Sequence, residues 1–397
     1  MTGGSGKTSI RHLKTLLLRL NTKSIVYGLA TTAAFVLAFF LIDLPHGAEH
    51  WSADLRTAWL SPRLASQHPN IALIYINNRT LEGYPYTLPI DRQLIADLVD
   101  RIDAAGPTVI GIDIIFDRPT EAKKDENLLG SIKRAKAQIV LGALDARSSL
   151  SERERKFHED FLQKTGRRLG HLYFHDVHDT FVISDEVVRL IPQPVPGFTT
   201  HKSFAEELAA AATGTYPIIK SRYISWLLSP RDETETFLSL SADQVLGRGS
   251  VQVQLPLESL LKGKIVIIGG DFPDRDKHLT PLSVTDGERF AGVSIHAQIL
   301  AQCLSGRSVV ELSWAANLLV YAAALAFGLW AGRRDRSGNW HPLLELLAVI
   351  GLIAFDFATF WLFNLIFPMI MTLLFLSAGY TYGHYSKHIL EETRTPH

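Results

Sequence analysis

Four apolar runs interrupt a chain that is otherwise patterned like a water-soluble protein. The first covers residues 25–44, and the others cover 314–331, 343–360 and 367–382. Each is close to the ~20 residues a helix needs to cross ~30 Å of hydrocarbon. A helix is also the one single-segment structure that satisfies its own backbone in lipid. Between the first and second runs lies a stretch, residues 45–312, with the alternations of a folded domain. Residues 70–77 (NIALIYIN), 108–116 (TVIGIDIIF), 138–143 and 264–269 (KIVIIG) are continuous apolar segments, the mark of strands buried on both faces. Leu94, Ile95, Leu98, Val99 and Ile102 recur at helical spacing across 91–105, and 127–137 and 293–304 also predict helices. Strand, helix, strand, helix, strand implies right-handed crossovers and parallel pairing. The expected fold is α/β, a largely parallel sheet flanked by helices, with one transmembrane helix before it and three after. Residues 170–255 are less regular, with edge strands expected over 173–183 and 236–240.

Charge gives this layout a direction. Lys7, Arg11, Lys14, Arg19 and Lys23 precede the first run, and Arg333, Arg334 and Arg336 follow the second. Basic residues mark cytoplasmic flanks. Both assignments hold only if the central domain is extracytoplasmic and residues 1–24 and the tail 384–397 are cytoplasmic. The first run is too long for a cleaved signal core and lacks a small-residue cleavage pattern, so it predicts a signal anchor. The chain has 397 residues and a formal net charge of zero, which argues against a nucleic-acid partner. A single cysteine, Cys303, allows no intrachain disulfide, and its apolar helical setting predicts a core position. Residues 151–168 predict a solvated helix with pairs such as Glu154/His158.

Short motifs contribute little chemistry. Gly6-Lys7-Thr8 lacks both the earlier glycine and the preceding strand of a phosphate loop. His171, His175 and His178 would share a face on a helix, but Leu172, Tyr173, Phe174 and Val177 favour a strand, which scatters them. No metal, cofactor or catalytic set is expected, so the chain reads as a non-enzyme. Asp356 lies inside the third apolar run, where a carboxylate is rare and suggests function. His384 and Thr372 are its candidate partners, and an outer-end position reaching water is the alternative. Ala322, Ala323, Ala324, Ala326 and Gly328 give the second run a small-residue face suited to close helix contact.

An ordered set of motifs makes the chain recognisable. Leu88-Pro89-Ile90-Asp91-Arg92 precedes a helix and then Val109-Ile110-Gly111-Ile112-Asp113-Ile114-Ile115-Phe116. Gly263 to Gly270, Asp276 and Thr280-Pro281 follow downstream, and Gly292-Val293-Ser294-Ile295-His296-Ala297-Gln298 closes the set. With one apolar run before and three after, the chain resembles the CHASE2 family, extracytoplasmic sensor domains of bacterial transmembrane signalling proteins. The resemblance implies a bacterial inner-membrane receptor that detects an extracytoplasmic ligand. Relatives carry an output domain after the last span, whereas little follows Tyr382 here. The implied role is therefore a sensor subunit acting through a membrane or cytoplasmic protein partner, with a homodimer also open. A structural subunit of an envelope complex is the alternative. The chain departs from the family pattern at Leu88 and Ile90, where relatives have tryptophans, and at Asn77, where they have aspartate. Asp185 to Arg189 resembles the family's Asp-Gly-x-x-Arg turn with Glu186 in place of glycine, which disfavours a left-handed backbone there.

Ligands of open parallel sheets bind beyond the carboxyl ends of the strands. Asp113 and Gly270 end two such strands. With Arg92, Asp276 and Thr280, and with His296 from the closing motif, they form the candidate ligand site. The competing reading makes Arg92 and Asp113 a buried structural pair, with Gly269 and Gly270 allowing a tight turn and Thr280-Pro281 fixing the exit.

Overall fold

The computed structural model describes residues 44–144, 148–174, 186–194, 201–248, 255–334 and 341–392. Of the expected elements, residues 25–43 of the first apolar run, His175 and His178, and most of the strand expected over 173–183 lie outside the described residues.

Helix α1 spans Leu44–Leu60. The central domain then alternates as the apolar segments predict: β1 Ile71–Ile76, α2 Asn78–Leu81, α3 Arg92–Asp103, β2 Val109–Asp113, α4 Ala122–Arg134, β3 Gln138–Ala143, α5 Glu152–Thr165 and β4 Arg168–His171. After α6 Phe204–Thr213 come β5 Leu238–Ser241, α7 Ala242–Leu246, α8 Leu257–Leu261 and β6 Ile265–Gly270. Six strands form one sheet in the order β4-β3-β2-β6-β1-β5, and every pairing is parallel. Alternation along each strand divides the core in two. Ala72, Ile74 and Ile76 of β1 meet α3 through Leu94, Leu98 and Ile102 on one face. Ile71 and Leu73 meet α6 and α9 (Gly292–Ser305) through Leu208, Ile295 and Ile299 on the other.

Helix α6 falls in the stretch expected to be β-like. Its start is written in Ser203 and Glu206, which form a reciprocal capping box: the Ser203 hydroxyl accepts from Glu206 N at 3.3 Å, and Glu206 accepts from Ser203 N at 3.1 Å. Helix α5 is less solvated than expected. His158 does not pair with Glu154; it is buried, accepting from Leu144 N at 3.0 Å through Nε2 and facing the Phe116 carbonyl at 3.0 Å through Nδ1. Glu154 instead caps the helix and pairs with Arg118 at 3.1 Å.

The C-terminal runs are helical: α10 Trp314–Arg334, α11 His341–Phe363 and α12 Met369–Glu392. Trp314–Arg334 and Leu346–Phe363 are long and apolar enough to cross a membrane. Gly328 and Gly332 of α10 lie against Gly379 and Gly383 of α12 so closely that a Cβ on any of them would strike the other helix's backbone. Ala324 is buried in this seam, whereas Ala322, Ala323 and Ala326 remain exposed. Short strands β7 Val310–Glu311 and β8 Leu365–Ile366 pair in parallel, joining the chain before α10 to the link between α11 and α12.

Asp356 is neither at a water-exposed end nor paired with His384 or Thr372. It is fully buried and forms an ion pair with Arg56 of α1. Arg56 also donates to the Phe367 carbonyl at 3.1 Å. Two turns earlier on α1, Glu49 accepts from the backbone N–H groups of Met369, Ile370 and Met371 at 3.0, 2.8 and 3.2 Å, capping the first turn of α12.

Candidate functional site

A cavity of about 900 Å³ opens at the carboxyl end of the sheet. Asp113 from the end of β2, Gly270 from the end of β6, His296 of α9 and Asp276 all line it. The parallel topology puts these strand ends on one edge, as the switch-point rule requires. Leu88, Ile90, Ile114, Ile115, Leu172, Phe174 and Phe272 give it apolar walls. Leu88 and Ile115 are 51% and 41% exposed there, large apolar side chains left open to solvent at a concave surface.

Gly269 and Gly270 are not turn glycines; both lie in β6. A Cβ on Gly269 would sit 2.6 Å from Val293, and one on Gly270 would sit 2.8 Å from the Phe272 ring. The glycines let the start of α9 and the Phe272 ring close over the strand end. Beyond β6 the chain turns through Asp276, whose left-handed φ of 52° aims its carboxylate at the first residue of α9. A Cβ on Gly292 would meet both carboxylate oxygens, at 2.7 and 2.8 Å. The positive end of α9 favours a negative charge in that place. Asp276 also pairs with His278 Nε2 at 3.0 Å.

Among the described residues Asp113 forms no ion pair with an arginine. Its buried Oδ2 has no hydrogen-bond partner among the described residues. Burial, and then the Asp276 charge, push its pKa well above the usual carboxylate range. His296 is 1% exposed, with Phe174 at 4.5 Å and Phe204 at 5.2 Å between ring centres. Its Nδ1 has no partner among the described residues. Burial, with His171 and His278 nearby, drives its pKa down to about 3, so the ring is neutral at physiological pH.

Arg92 and Thr280 lie apart from the cavity lining. The expected Arg92–Asp113 pair does not form. Arg92 instead lies 3.6 Å from Asp125, donates to the carbonyls of Ile90 (3.3 Å) and Arg118 (3.2 Å), and stacks over Phe116 at 4.7 Å. It fixes the two segments that carry Leu88, Ile90 and Arg118 into the cavity wall. Thr280 is buried and caps the 3₁₀ turn Pro281–Val284, donating from its backbone N to Ser283 Oγ at 3.0 Å. Among the described residues no group of histidine, cysteine and carboxylate side chains is placed to hold a metal ion.

The turn resembling Asp-Gly-x-x-Arg keeps the left-handed backbone that Glu186 disfavours, with φ of 59°. Three residues on, Arg189 makes a bidentate pair with Asp54 of α1, at 2.8 and 2.7 Å. Val188 N donates to the Leu279 carbonyl at 2.8 Å, tying this segment to the strand that leaves the cavity.

A family model for the CHASE2 domain matches residues 30–332, well over half of the chain. The chain belongs to the CHASE2 family. CHASE2 domains are extracytoplasmic and of sensor type, and the residues of the sheet-edge cavity all fall within the matched stretch. No curated protein and no solved structure matches it.

Proposed function

We propose that this CHASE2 protein is a membrane-anchored sensor subunit that binds a small extracytoplasmic ligand in the sheet-edge cavity and signals through a separate membrane or cytoplasmic partner. Four spans anchor it, counting residues 25–44 and α12 with the two more apolar helices, and both termini face the cytoplasm. The observation that carries the reading is physical continuity between cavity and membrane helices. Asp276 and His278 line the cavity. The chain runs from them into the Thr280-capped turn, which packs on α1. Helix α1 in turn holds Asp356 of α11 through Arg56 and the start of α12 through Glu49. A ligand that moves the Asp276 loop therefore pushes on a helix with charged grips on two others, a contiguous route with discrete contacts. The exposed small residues Ala322, Ala323 and Ala326 suit a partner helix.

The test uses the full chain carrying a photocrosslinking residue at Ala326 in its native membrane. A sensor gives a crosslinked partner whose yield changes when the cavity is filled by Ile115→Trp. A partner crosslinked equally in both forms assigns the chain to a scaffold instead.

A further inference from the structure

We propose that the cavity takes an organic amine: a cationic nitrogen held between Asp113 and Asp276, with an apolar body lying against Phe174, Phe272, Leu88 and Ile115. The inference rests on the cavity being the sensing site. Asp113 and the exposed Asp276 both line it, close enough for the Asp276 charge to act on Asp113, and the Asp113 Oδ2 is buried with nothing donating to it among the described residues. A buried acceptor of that kind is costly unless a donor arrives. Among the basic groups of the lining, His278 touches Asp276 at 3.0 Å, and none donates to the Asp113 Oδ2 among the described residues. Arg118 is bound to Asp117 at 2.7 Å and to Glu154, and Arg275 lies 3.7 Å from Asp274. Lys277, next to the lining, is bound to Asp271 at 2.6 Å. A donor for the Asp113 Oδ2 therefore comes with the ligand, and an amine nitrogen can supply it beside the exposed Asp276 carboxylate.

The other groups narrow its form. His296 is neutral and fully enclosed, and its Nδ1 offers one more polar contact at the floor. The aromatic rings present faces that attract a cation within ~6 Å. The exposed Leu88 and Ile115 at the mouth offer apolar area to a body several carbons long. An anion meets the two carboxylates unfavourably.

Titration calorimetry on the full chain in nanodiscs, corrected with empty nanodiscs, tests this with 2-phenylethylamine and n-hexylamine. Neutral 2-phenylethanol and anionic phenylacetate serve as matched comparisons. The expected result is amine binding at least tenfold tighter than either comparison. Asp113→Asn and Asp276→Asn should each lose at least tenfold in amine affinity without a lower unfolding midpoint. The proposal is overturned if neither amine binds, if the alcohol or carboxylate binds as well, or if Asp113→Asn binds the amine unchanged. Binding of the alcohol or carboxylate that Ile115→Trp abolishes removes the amine class while leaving the cavity a ligand site, so the two readings fail separately.

Discussion

Asp113 sits where its charged form is disfavoured, and that sets the sign of its contribution to stability. Its pKa is raised above the unfolded value of 3.8, so the folded chain retains a proton that the unfolded chain releases. The group's stabilising contribution is full below pH 3.8 and declines as pH rises toward the folded pKa. Asp113→Asn keeps the shape and removes the penalty. Its unfolding midpoint at pH 7 should exceed that of the wild-type chain, and the gain should vanish near pH 3. Scanning calorimetry of the full chain across pH checks this, and a lower midpoint at pH 7 would refute it. His296 has the opposite sign: with its pKa lowered to about 3 from 6.5, stability is full above pH 6.5 and lost as pH falls toward 3. Burial lowers His158 and His68 in the same sense. His296→Phe should flatten that acid limb, whose slope for one proton is about 1.4 kcal/mol per pH unit. Arg92, not Asp113, is the buried charge with a partner, so Arg92→Ala should cost about 3 kcal/mol in the same unfolding measurement. Sequence spacing brought Asp113, Gly270, Asp276 and His296 to one edge because strand ends are readable from apolar runs. The expected Arg92–Asp113 pair does not form because Arg92 lies against Asp125 and Phe116, which no local pattern reveals.

Helix α1 is the element with the most consequential contacts, and none of them could be read locally. Asp54, Glu49 and Arg56 look like the polar face of an ordinary helix, yet their partners lie at Arg189, Met369 to Met371 and Asp356. Sequence separations of 135 to 322 residues hide such pairs from any periodicity argument. Replacing one member leaves a buried charge alone, which costs about 3–5 kcal/mol, whereas replacing both with apolar residues can be neutral. Arg56→Met and Asp356→Leu should each lower the unfolding midpoint, and the double variant should recover most of the loss. Additive losses would show that the ion pair is not the link. The α10–α12 seam makes a second, contrasting case. Gly379→Leu should break the close approach and cost the α10–α12 pair its packing, while Ala322→Leu, on the open face, should leave folding intact and reduce only partner crosslinking from position 326. Small residues along α10 announced close contact in the sequence, but their division between an internal seam and an open face depends on where α12 packs.

Taken as a whole molecule, the orientation proposed for the domain rests on charge that lies at its edges rather than in its core. A cysteine placed at exposed Gly214, in a Cys303→Ser background, should react with an impermeant thiol reagent added outside intact cells, while one placed at Arg336 should not. The reverse pattern would overturn the topology. The layered core, the parallel sheet and the family were all legible, since each rests on apolar runs and motif order. The grip between domain and helices was not, since it rests on single charges far apart. That grip has a consequence for where the chain can be divided. Between Arg334 and His341 the polypeptide is one covalent link, but across that point β7 pairs with β8, Glu49 caps α12, Arg56 holds Asp356 and the glycine seam closes. Two fragments, ending at Arg334 and beginning at His341, carry complementary halves of every one of these contacts. Co-expressed, they should find each other and be purified together as a noncovalent split protein.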